Sequence, residues 1–129
     1  MLLEKVADGE ALAQRGVELI VEHAAQTLAT KPTFTLAVSG GSTPRRMLEL
    51  LADVTTIDWP RVHMFQVDER IAPTGDPDRN LAMLQPLLSS VELGGFYPMP
   101  VSETELVAAS SDYAATLACL LYTSPSPRD

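Results

Sequence analysis

The passage that most limits what this chain can fold into runs from Thr33 to Pro44. An apolar run, Thr33-Phe34-Thr35-Leu36-Ala37-Val38, leads into Ser39-Gly40-Gly41-Ser42-Thr43-Pro44. The run is rich in strand formers and is bounded by Pro32 and the glycine pair, so residues 33–38 read as a strand. Residues 44–52 read as a helix. Thr43 is the expected N-cap, and Pro44 suits the first helical position, where its missing N–H costs nothing. Strand, glycine turn and helix start in direct succession belong to an α/β layer.

The flanking chain agrees. Residues 8–29 read as a helix with Asp8 as N-cap, and Leu12, Gly16, Leu19, Ile20, His23 and Thr27 recur at helical spacing. Val62 to Val67 is a second strand, apolar on both faces, as in a parallel sheet covered by helices. Asn80 to Leu88 reads as a short helix, with Pro86 blurring its end. Ser102-Glu103-Thr104-Glu105 has the form of a capping box and opens a helix through Tyr113 to about Ala118. The expected order is αβαβαα, in one domain over residues 1–118. Residues 119–129, a polar, proline-bearing string, are expected to be a non-native or disordered tail, similar to translated adapter sequence.

Composition narrows the function. The chain has 129 residues, enough for one core, and a net charge of −8, which disfavours nucleic acid as a partner. No apolar run approaches the roughly 20 residues needed to span a bilayer, and the N-terminus does not read as a secretory signal. A cytoplasmic protein with no membrane partner is expected. One cysteine, Cys119, excludes an internal disulfide and a multi-cysteine metal site. Five of the nine basic residues (Arg45, Arg46, Arg61, Arg70 and Arg79) fall between positions 45 and 79, a local cationic concentration in an acidic chain.

Chemistry gathers at two places. At the first, the free N–H groups of a helix start, two glycines and the hydroxyls of Ser39, Ser42 and Thr43 make a seat for an anion. The loop lacks the lysine of the nucleotide P-loop and the spacing of the dinucleotide fingerprint. Pro44 also excludes the nucleophile elbow.

At the second, Asp68-Glu69-Arg70 follows the second strand. With a right-handed crossover, the loops at 39–44 and 68–70 open at one edge of the sheet, where α/β proteins bind ligands. Arg70 can then grip a phosphate or carboxylate, while Asp68 can accept from sugar hydroxyls or orient a catalytic group. A solvated charge cluster is the competing reading. His63, inside a strand, reads as a packed, hydrogen-bonded side chain, and His23 as a partly buried helix residue. Nothing has metal-ligand spacing.

Ser39-Gly40-Gly41-Ser42-Thr43-Pro44, Asp58-Trp59 before a strand, Asp68-Glu69-Arg70 and Asn80 at a helix start together resemble the 6-phosphogluconolactonases. These enzymes share a superfamily with hexosamine-6-phosphate deaminases and isomerases. The resemblance implies a three-layer, Rossmann-like parallel sheet flanked by helices, here truncated. It also implies hydrolysis of 6-phospho-D-glucono-1,5-lactone in the oxidative pentose phosphate pathway, with no cofactor or metal. It places the substrate phosphate at Ser39, Gly40, Gly41, Ser42 and Thr43, with Arg70 as a charged contact and Asp68 and Asn80 in support.

The family's general base is a histidine in an Asp-Gly-His motif, and this sequence has none. The chain is therefore expected to be an N-terminal fragment, inactive alone. A hexosamine-6-phosphate deaminase is the nearer alternative, although tyrosine would be expected there in place of Arg70. A non-catalytic sugar-phosphate sensor of a transcription regulator is the other, and residues 1–32 lack the basic second helix it needs. The sequence carries no signal of oligomeric state.

Overall fold

A computed structural model describes residues 3–72, 75–101 and 106–121. The elements are α1 (Gly9–Leu28), β1 (Phe34–Val38), α2 (Ser42–Ala52), a 3-10 turn (Trp59–Arg61), β2 (Val62–Gln66), α3 (Asn80–Leu88), β3 (Gly95–Tyr97) and α4 (Leu106–Leu121). The strands form one parallel sheet in the order β1-β2-β3. Val38 stands opposite Gln66, and Phe65 opposite Tyr97.

β3 is a departure from the expected order. It has three residues between Gly94 and Pro98, too few to show alternation or a recognisable apolar run. The other strands lie within one residue of their expected bounds, and α3 has the expected ones, with Pro86 inside the helix.

Side chains alternate across the sheet and so define two faces. On one, Val38, Val62 and Met64 pack with Leu48 and Leu51 of α2, and with Leu84 and Leu88 of α3. Val17, Ile20 and Val21 of α1 close the same cluster. On the other face, the Phe65 ring stacks on Tyr97 at 4.7 Å and meets Tyr113 of α4 edge-on at 5.4 Å. Helices therefore cover both faces, as a buried parallel sheet requires.

Asp8 caps α1 as expected, its carboxylate accepting from Ala11 N at 2.8 Å. The inward stripe, however, is Ala13, Val17, Ile20, Val21 and Ala24. Leu12 and Leu19, which carry the helical spacing, are exposed, and so is His23, expected to be partly buried. Ile20 is common to both sets and Gly16 packs against Met47 of α2, while Ala13 and Ala24 bury with little side-chain bulk. A reading weighted by side-chain size overlooks them.

α2 begins two residues earlier than expected. Its N-cap is Gly41 rather than Thr43, at φ 109° and ψ 171°, and no side chain caps the helix. This φ lies where a Cβ is disfavoured, so the turn depends on glycine. Pro44 then falls within the first turn, where it still displaces no helical hydrogen bond.

α4 continues through Cys119 and Leu120 to Leu121, beyond the expected end at Ala118, with Cys119 exposed. The capping box at Ser102–Glu105 and the tail from 122 to 129 lie outside the described residues. Among the described residues, no helix is long and apolar enough to cross a membrane.

Candidate functional site

The two chemistry-bearing loops leave the sheet at one edge. Beyond the last ladder pair, Val67 N donates to Val38 O at 2.8 Å, so the loops after β1 and β2 depart side by side. α2 then starts with Gly41, Ser42 and Thr43 exposed and its N-terminus without a side-chain cap. Its first helical hydrogen bond runs from Arg45 N to Gly41 O, at 3.0 Å. The remaining first-turn N–H groups and the helix dipole make this end electropositive.

Gly40 faces Asn80 at the start of α3, so closely that a Cβ on Gly40 would collide with the Asn80 side-chain oxygen. Asn80 Nδ2 in turn donates to Asp68, to the backbone oxygen at 3.3 Å and to Oδ1 at 3.2 Å. Gly40, Asp68 and Asn80, singled out from separate stretches of sequence, thus meet at one place.

Glu69 between them turns the other way. Its side chain is fully buried and gathers donors on both oxygens. Oε1 accepts from Arg70 N at 2.8 Å and Asn80 N at 2.6 Å. Oε2 accepts from Leu81 N at 3.1 Å and the Gln66 side-chain amide at 3.0 Å. Arg79 Nε lies 2.8 Å from Oε2 as an ion pair, although its N–H is not aligned as a hydrogen bond. Burial alone would raise the carboxyl pKa, but Arg79, Gln66 and the backbone donors of Arg70 and Asn80 outweigh it and hold the group at about 2.

Further contacts extend the network. Gln66 Oε1 accepts from Met99 N at 2.7 Å, and Arg79 Nη1 donates to Ala72 O at 3.2 Å. Sequence reasoning missed Glu69, Arg79 and Gln66 as a unit. Gln66 was the available signal, because a polar residue in a strand buried on both faces must find a partner.

The arginines now separate by use. Arg46 bridges Glu10 of α1 (2.8 Å) and Glu49 (3.2 Å). Arg61 donates to the backbone oxygens of Leu28, Lys31 and Pro32 just past α1. Arg45 pairs with Glu49 at 3.6 Å, and Arg79 is internal. Arg70 is exposed, and among the described residues its guanidinium makes no hydrogen bond or ion pair. Among the described residues it is the one arginine left without a partner, on the loop that leaves the sheet after β2.

Neither histidine joins the site. His63 Nδ1 is 2.9 Å from the Tyr97 hydroxyl, with the rings stacked at 5.8 Å, which matches the packed, hydrogen-bonded reading. His23 sits near the C-terminal end of α1, at the opposite edge of the sheet from the two loops. Among the described residues, no group of His, Cys, Asp and Glu could hold a metal ion.

Comparisons with known proteins place the chain in a family and a fold. The family model described as glucosamine-6-phosphate isomerases/6-phosphogluconolactonase matches residues 7–128. A 6-phosphogluconolactonase from Nostoc is 35% identical over 81 residues, 63% of this chain and 33% of the relative. One from Synechocystis is 28% identical over 110 residues, 83% of this chain and 45% of the relative. The chain spans less than half the length of these curated relatives.

Among solved structures, a Shewanella baltica 6-phosphogluconolactonase superimposes with a TM-score of 0.76 at 23% identity. It covers 88% of this chain and 49% of its own. A monomeric glucosamine-6-phosphate deaminase superimposes with a TM-score of 0.79 at 16% identity, covering 93% of this chain and 51% of its own. These likenesses establish the Rossmann-like α/β fold. With residues 7–128 of its 129 matched by the family model, the chain belongs to the glucosamine-6-phosphate isomerase/6-phosphogluconolactonase family.

Proposed function

We propose that this chain forms the phosphate-gripping part of a 6-phosphogluconolactonase. The substrate phosphate sits at Ser39, Gly40, Gly41, Ser42 and Thr43, and Arg70 supplies the charged contact. The observation that carries the reading is an uncapped helix start on one loop and, on the loop that leaves the sheet beside it, the one arginine that has no partner among the described residues. Structural arginines are consumed by neighbouring carboxylates and carbonyls; a ligand-binding arginine must be left for its ligand. The names of the curated relatives favour the lactonase over the deaminase.

Asp68 and Asn80 face the hydroxyl-bearing part of the substrate. Lactone hydrolysis then needs a base that takes a proton from water as the oxygen attacks the carbonyl, with donors for the oxyanion. Neither described histidine is placed for that role, so the part played by these residues is binding and orientation. The partner is a small-molecule sugar phosphate, and the cytoplasm is the compartment proposed.

Calorimetric titration of the chain with 6-phosphogluconate and glucosamine 6-phosphate tests the reading. Saturable binding that prefers 6-phosphogluconate is expected. Preference for the amino sugar phosphate would move the assignment to the deaminases, and binding of neither would contradict both.

A further inference from the structure

We propose that Glu69 is the positioning residue of this site: its buried carboxylate fixes Asn80 and Asp68 as a hydroxyl-reading wall beside Gly40, so that the site selects a phosphorylated polyol over phosphate alone. The proposal rests on the sugar-phosphate reading above and adds the residue that sets its selectivity.

Asp68, Glu69 and Arg70 are consecutive, yet they divide into two kinds. Asp68 and Arg70 are exposed at the cleft edge, whereas the Glu69 side chain is 0% exposed. Glu69 accepts from the backbone N–H groups of both Asn80 and Leu81, in the first turn of α3. Two such bonds fix that turn against the loop after β2. They leave the Asn80 side chain within reach of the backbone oxygen and Oδ1 of Asp68.

The same carboxylate also settles the competition between two helix starts at this edge. Both α2 and α3 begin here, and each could attract an anion. At α3 the seat is already taken by a negative charge from the protein itself. A ligand phosphate is therefore directed to α2. What α3 offers instead is a neutral amide and a carboxylate. Among the described residues, Asp68 Oδ2 takes no hydrogen bond, so it can accept from a hydroxyl. The amide and carboxylate together match a ligand portion that offers hydroxyl donors and acceptors.

The test compares two probes, inorganic phosphate and glucitol 6-phosphate, by calorimetry on the 129-residue chain and its Glu69→Gln variant. Exchange of the Asn80 side-chain amide protons with solvent is followed alongside by NMR. Glu69→Gln is expected to weaken glucitol 6-phosphate on the order of tenfold while leaving inorganic phosphate unchanged, the scale of one or two lost hydrogen bonds. The Asn80 amide protons should exchange faster.

Equal weakening of both probes, or unaltered Asn80 exchange, would overturn the proposal. If Glu69→Gln does not fold, Asn80→Ala replaces it, since that change leaves the buried network in place. The same loss of selectivity supports the proposal, and retained selectivity overturns it. If the unmodified chain binds neither probe, the sugar-phosphate reading and the selectivity claim built on it both fail. Unaltered Asn80 exchange in Glu69→Gln would refute positioning separately, without any ligand.

Discussion

Arg79 and Glu69 form an ion pair 2.8 Å apart with side chains only 3% and 0% exposed, at the edge where the loops after β1 and β2 leave the sheet. Their burial makes the loop after β2 part of the core rather than a surface excursion. It also makes that loop sensitive to acid.

The Glu69 carboxyl lies at about 2 in the folded chain, against an ordinary value of 4.5. A depressed carboxyl contributes stability fully above its unfolded pKa and loses it as pH falls toward the folded one. The window is therefore roughly pH 5 to 2, and the contribution is on the order of 3 kcal/mol. Urea unfolding at pH 6 and pH 3 should show somewhat over half of this loss, with a flatter pH dependence in Glu69→Gln. Identical pH dependence in both proteins would remove Glu69 from the account.

Arg70 should behave in the opposite way. Its guanidinium has no partner among the described residues, so Arg70→Ala should leave the unfolding midpoint unchanged. Affinity for 6-phosphogluconate should fall by about 1.5–3 kcal/mol, the worth of a charge-assisted contact. Calorimetry and denaturant titration on one preparation separate the two effects.

Tyr113 ties α4 to the sheet. Its hydroxyl accepts from Gln66 N at 2.7 Å and donates to Tyr97 O at 2.8 Å, bridging β2 and β3. Burial raises the phenol pKa, partly offset by the Gln66 N–H, so the neutral hydroxyl persists through ordinary pH. Tyr113→Phe should cost about 1–3 kcal/mol of stability, because two backbone groups lose a half-buried partner. An unchanged denaturation midpoint would count against this role.

The strand–glycine–helix passage was legible because its signals are local: β-formers, a glycine pair and a proline that cannot continue a strand. Asp8 capping α1 and the start of α3 at Asn80 were legible for the same reason. The inward face of α1 was not, because Ala13 and Ala24 bury by being small, whereas Leu12 and Leu19 stay exposed. β3 was too short to show alternation. Glu69 and Arg79, ten positions apart, look like any solvated charges until the fold brings them together. Within the candidate site, the residues flanked by glycine or a strand end were identifiable. The buried network that holds them was not.

The 129-residue chain should not accelerate lactone hydrolysis at an enzymatic rate. His63 is engaged with Tyr97 in β2 and lies five residues before Asp68, roughly 16 Å of extended chain. Holding the phosphate does not by itself lower the barrier, and a placed base contributes about 10²–10⁴-fold. Hydrolysis followed against the spontaneous reaction checks this, and turnover well above that background would mean that a base exists among these residues.

The central claim is that the turn before α2 seats the phosphate, and backbone amide NMR tests it most directly. On titration of the ¹⁵N-labelled chain with 6-phosphogluconate, the amide signals of Gly40, Gly41, Ser42 and Thr43 should shift saturably. Those of Asn80 and Leu81, already bonded to Glu69, should move far less. Gly41→Val should abolish the shifts, since φ 109° is disfavoured for valine and the added side chain blocks close approach. Saturable shifts centred on Asn80 and Leu81, with Gly40 to Thr43 unmoved, would contradict the account.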